Sequence, residues 1–137
     1  MYRMNRRAAV ALIAVLTTAA CGGVTPPTGP APNPQTTVHE DTLTVNGANI
    51  FPFSTDSGGT VTATVLAVNP AGTVIGASLG VWDATTGTCQ ISITKDNAVQ
   101  GSVITATASA IGNYCLRVYD PGTLTGPTDW QMSILIP

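Results

Sequence analysis

The sequence predicts an all-β fold, an antiparallel sandwich of about eight strands, and three observations carry that prediction. Past residue 37 the chain is rich in Thr, Val, Ile, Ala and Gly and poor in charge, a composition suited to pleated, half-buried surfaces. Short segments of alternating apolar and polar residues recur, broken by Gly, Pro, Asn and Asp at the spacing of sandwich turns. Beyond the N-terminal leader no segment sustains a helical period.

Val38–Val45 is the first predicted strand, ended by Asn46-Gly47, a pair that tolerates a tight hairpin turn. Ala48–Phe53 follows, and Pro52, with no N–H to give a ladder, assigns it to a sheet edge or a bulge. Asp56-Ser57-Gly58-Gly59 turns the chain again. In Thr60–Val68, the residues Val61, Ala63, Val65 and Ala67 share one face, and Thr60, Thr62, Thr64 and Leu66 the other. Asn69-Pro70-Ala71-Gly72 is a strong breaker. Ile75, Ala77, Leu79 and Val81 are then in phase within Val74–Trp82, which turns Trp82 outward.

After Thr85-Thr86-Gly87 come Cys89, Ile91 and Ile93 on a fifth strand, closed by a polar turn at Lys95-Asp96-Asn97. Ser102–Ser109 is the sixth, and Gly112-Asn113 makes the next corner. Tyr114, Leu116 and Val118 alternate with Cys115, Arg117 and Tyr119, so Tyr119 faces away from the apolar set. Asp120-Pro121-Gly122 opens a loop before the last strand, where Trp130, Met132, Ile134 and Ile136 share one face.

The leader says where the chain lives. Arg3, Arg6 and Arg7 precede an uncharged, largely apolar run from Ala8 to Ala20. Such a run is short of the roughly 20 residues a spanning helix needs, but it fits the h-region of a secretory signal. Thr17-Thr18-Ala19-Ala20-Cys21 resembles a bacterial lipobox, with Thr18 where that motif more often has an aliphatic residue. The resemblance implies a signal peptide over 1–20 and acylation of Cys21, which then holds the protein to a membrane of the cell envelope. Gly22 is not the Asp associated with inner-membrane retention, which favours the outer membrane where one exists. Residues 21–37, with five Pro and three Gly and no charge, read as a tether. Partly extended at about 3.1 Å per residue, it reaches some 40 to 50 Å from the bilayer. Residues 38–137 are the sandwich domain.

Without the leader the chain carries two cations, Lys95 and Arg117, against seven carboxylates, a net charge near −5. That balance offers nucleic acid no electrostatic footprint and anionic lipid no attraction by charge. Once Cys21 is assigned to lipid, Cys89 and Cys115 remain, and in an exported protein two such thiols are expected to form one disulfide.

In order, I-F-P-F-S, D-S-G-G-T-V-T-A-T-V, S-L-G-V-W-D and G-N-Y-C-L-R-V-Y-D, closed by D-W-Q-M-S-I-L-I-P, span nearly all of Val38–Pro137. That succession resembles the bacterial pre-peptidase C-terminal domain. The resemblance implies a jelly-roll-like sandwich of the kind appended to secreted peptidases, some collagenase members of which bind calcium and collagen. The Asp that the family commonly places ahead of its aromatic segment is missing at Ala48-Asn49-Ile50, which weakens the carry-over of calcium binding and leaves that binding open, and no cofactor is expected.

Residues that suggest chemistry have plainer readings. Thr55-Asp56-Ser57-Gly58-Gly59-Thr60 echoes the surroundings of a serine nucleophile, but His39 is the only His in the chain, and the Gly pair serves a turn. Of His39, Glu40 and Asp41 only the first and third can share a strand face, which reads as a polar edge. Asp83, Asp96, Asp120 and Asp129 fall where Asp bonds local backbone. Trp82 and Tyr119, both out of phase with the core, are the candidate binding surface for an extracellular glycan or protein. Any ligand is expected on the surface, not in a deep pocket, and no enzymatic activity is expected.

Overall fold

The computed structural model describes residues 33–137; the signal peptide, Cys21 and the tether up to residue 32 lie outside the described residues. Eight strands follow in chain order: β1 (Gln35–Leu43), β2 (Ala48–Thr55), β3 (Gly59–Asn69), β4 (Ile75–Asp83), β5 (Thr88–Ala98), β6 (Val103–Ala108), β7 (Gly112–Tyr119) and β8 (Thr128–Ile136). They form two four-stranded antiparallel sheets with the orders β1-β8-β3-β6 and β2-β7-β4-β5. This interleaving of first with last strands is the double Greek key of a jelly roll. The core lies between the sheets, around Leu43, Val65, Ile75, Leu116, Met132 and Ile134.

Most of the predicted segments appear within a residue or two, and the departures have physical causes. Gln35, Thr36 and Thr37, read above as tether, pair with Ile136, Leu135 and Ile134 of β8, so β1 begins at Gln35 and the sandwich takes in those residues. Pro52 sits on β2, an edge strand, as its missing N–H requires. In β3 the register against β8 shifts between Val65 and Ala67. The extra residue at this bulge reverses the phase: Val68 is buried and Ala67, expected inward, is exposed. Lys95-Asp96-Asn97 is not a turn but part of β5, and the reversal comes at Val99–Ser102 instead. Asp96 and Asn97 there face the single Gly76 as a second bulge, which lets two polar residues stay in the ladder.

A third bulge decides the shape of β5. Leu79 pairs with Ile93 while Gly80 pairs with Ile91, leaving Ser92 as the extra residue. Ile91 and Ile93, read as in phase, are thereby placed opposite neighbours on different faces of β4. Gly80 is needed at this point, because a Cβ on it would run into the Gln90 carbonyl oxygen, with the carbonyl carbon at 2.8 Å and Ile91 Cα at 2.9 Å. The first half of β5 therefore lies across β4, close enough for Cys89 and Cys115 to be bonded with their Cα atoms 5.8 Å apart. The expected disulfide is present.

Loops are tied by carboxylates. Asp120 Oδ2 accepts the Asn46 N–H at 2.8 Å, and Oδ1 accepts those of Gly122, Thr123 and Leu124, joining the β1–β2 turn to the β7–β8 loop. The Asn46 bond foremost, then those within the loop, hold the Asp120 carboxyl below its usual 3.8. A depressed carboxyl contributes stability that is present above its unfolded pKa and lost as the pH falls through the folded one. Asp120→Asn is therefore expected to lower the melting temperature at neutral pH and to flatten its fall below about pH 4. Thermal melts across that range check this, and superimposable curves for the two proteins would count against it. Asp83 is lowered in the same way, first by Thr86 and then by the Thr85 N–H, in the β4–β5 turn.

Candidate functional site

Of the two aromatic residues singled out from sequence, Tyr119 is half-buried on the outer face of the second sheet. Its ring covers Gly76, where a Cβ would strike it, and its hydroxyl donates to Asp96 across β4. The Arg117 guanidinium stacks over it, 4.5 Å from the ring centroid. Desolvation, followed by the Asp96 bond, pushes the Tyr119 phenol above its usual 10. Ser78, entirely buried beneath this face, bonds Thr94 at 3.1 Å. Tyr119 thus covers the centre of a sheet. Trp82 pairs with Cys89 and is half-buried beside the disulfide-linked strands. Nothing in the geometry brings Trp82 and Tyr119 together as one platform.

His39 meets Phe51 ring to ring at 5.0 Å, and Phe51 meets Trp130 edge to face at 5.4 Å. The Trp130 Nε1–H is buried without a partner. That orphan costs about 1 to 3 kcal/mol, less than the burial of the indole contributes. Around this cluster, Asp41 accepts from Asn49 and the Thr42 N–H, Asp129 from Thr42, and Glu40 from Gln131. No group of three His, Cys, Asp or Glu able to hold a metal ion occurs among the described residues.

The feature that sequence reasoning missed is a cleft. Between β5, β6 and the β6–β7 link the two sheets part, leaving a half-open space of about 590 Å³. That is within the range of small-molecule sites. Val61, Leu79, Ile93 and Ala106 line its floor and sides. Val81 shares a face with Tyr114 by register yet remains 47% exposed, because it stands at the opening. Phe53 and Tyr114, cross-strand partners, lie side by side with centroids 6.1 Å apart and planes 27° from parallel. Tyr114 Oη donates to the Ala110 carbonyl, which also accepts from Thr55 Oγ1, so ring and link are held together. The bulge at Ser92 brings that residue into the lining. No lining residue carries a charge. The only sequence signal for this cleft was the small-residue run Ala106–Ala110, whose side chains are too short to fill the space between two sheets.

Fold and site together define a jelly-roll β-sandwich with a neutral, aromatic-edged cleft at one sheet border. Compared with known proteins, the chain matches no family model and no curated protein.

Proposed function

We propose that the chain is a lipid-anchored protein of the bacterial cell envelope whose sandwich serves extracytoplasmic binding or adhesion, or structural support, without catalysis. The observation that carries this reading is the distribution of ionisable groups. The cleft is lined by no carboxylate, and those beside the more open hollow at Trp130, Glu40, Asp41 and Asp129, already accept hydrogen bonds from Gln131, Asn49 and Thr42, as Asp83, Asp96 and Asp120 do from their own neighbours. Acid–base or nucleophilic chemistry needs such a group poised beside a ligand, whereas recognition needs only shape and complementary contacts.

The pre-peptidase-like succession of segments supports the narrower alternative, a carbohydrate- or collagen-like-peptide-binding module. The paired rings of Phe53 and Tyr114 favour it further, since aromatic anchors dominate recognition surfaces.

Attachment through Cys21 is tested by fractionation with fatty-acid labelling. The wild-type chain is expected in the membrane fraction carrying label, and Cys21→Ser is expected to lose label and either leave the membrane or stay unprocessed. Label retained on the Cys21→Ser protein would sink the anchoring.

A further inference from the structure

We infer that the cleft between β5, β6 and the β6–β7 link takes an uncharged saccharide unit of a longer glycan chain. The inference rests on the reading of the sandwich as a binding module and names where and what it binds. Three properties of the cleft select the ligand. First, it is neutral in a domain that is otherwise acidic: with no Lys or Arg in the lining, a phosphate or uronate would be desolvated without a counter-charge. With no Asp or Glu there, a cationic ligand meets the same penalty.

Second, the lining is mixed. Val61, Ile93 and Ala106 give it an apolar wall, while Ser92 and the exposed Ser109–Ile111 link bring hydroxyl and backbone polar groups to the same lining. A wholly apolar ligand such as an acyl chain would strip water from these groups and return no hydrogen bond. A sugar carries C–H faces and hydroxyls on one small ring and satisfies both kinds of wall.

Third, Phe53 and Tyr114 present two adjacent rings, their planes 27° apart, that are already fixed. The Tyr114 hydroxyl bond to Ala110 and the cross-strand pairing with Phe53 remove the rotamer freedom that binding would otherwise have to freeze. The cleft is open along one side, so a bound unit continues into solvent as a chain.

The full-length chain, solubilised in a non-glycosidic detergent, is titrated with cello-, xylo-, chito- and malto-oligosaccharides. Polygalacturonate oligomers and a proline-proline-glycine repeat peptide serve as comparisons. Binding of at least one neutral oligosaccharide is expected, with the acidic oligomers and the peptide not bound. Ala110→Trp, which adds bulk at an exposed lining position and keeps the carbonyl that Tyr114 uses, is expected to weaken that binding about tenfold with the melting temperature unchanged. Tyr114→Leu is expected to weaken it similarly, whereas Tyr114→Phe, keeping the ring, retains most of it. No neutral oligosaccharide bound at millimolar concentration overturns the inference. So does binding confined to the peptide or the acidic oligomers, or neutral binding that Ala110→Trp leaves intact. None of these outcomes bears on membrane attachment, which the Cys21→Ser experiment decides.

Discussion

Gly80→Ala is expected to destabilise the sandwich by about 3 kcal/mol or more, at the upper end of what one inserted methyl group costs in a packed interior. The reason is what the new Cβ would meet. Gln90 and Ile91 approach Gly80 with backbone atoms, the Gln90 carbonyl carbon at 2.8 Å and Ile91 Cα at 2.9 Å, and backbone in a paired strand cannot rotate aside. Gly76 makes the informative contrast. There the added methyl would meet the Tyr119 ring, a side chain that can swing off the sheet at the expense of its Asp96 and Arg117 contacts, so Gly76→Ala should cost less. Urea unfolding of both variants checks the order. A Gly80→Ala protein within about 0.5 kcal/mol of wild type, the range of an ordinary surface substitution, would show that β5 does not cross β4 as described.

Removing the disulfide with Cys89→Ala and Cys115→Ala together is expected to cost about 3 kcal/mol, the chain-entropy value for a loop of this length. The bonded residues are 26 apart in sequence, and the melting temperature should fall by about 10 °C or more. Alanine is the suitable replacement because Cys115 is fully buried, and a Ser hydroxyl there would add an unsatisfied group of its own. Thiol tagging of the native protein should find neither Cys89 nor Cys115 reactive, and two tags would overturn the pairing. The two perturbations should also couple. With β5 no longer tied to β7, it can retreat from Gly80, so Gly80→Ala is expected to cost less in the disulfide-free protein than in the wild type. Equal costs in the two backgrounds would mean that the disulfide does not hold β5 over Gly80.

The strands themselves were readable because their signals are local. Alternation placed Val61, Ala63 and Val65 inward, and Trp130, Met132 and Ile134 likewise, and all six are buried. Asn46-Gly47 lies at a turn, and Asn46 adopts a φ of 59° there. Pro52 marked an edge strand, and two cysteines left after Cys21 marked a disulfide. The candidate site was less readable. Trp82 and Tyr119 stood out only because they break the apolar phase, and phase says which face a residue occupies, not what lies over it.

What the sequence determined by itself is therefore the class of fold, the number of strands, the turns other than the one after β5, and the cysteine pair, from composition, short-range preference and periodicity. Only the tertiary structure decided where that periodicity breaks. The bulges beside Leu66, Ser92 and Asp96 arise from the register of each strand against its partner, and Gln35–Thr37 became strand because β8 continues alongside them. Tyr119 over Gly76, β5 across Gly80 and the parting of the sheets beside Phe53 and Tyr114 follow from the same cause. Each depends on residues far apart in the chain meeting across a sheet or between sheets, and a bulge or a small side chain there shifts geometry by an amount that no local pattern encodes.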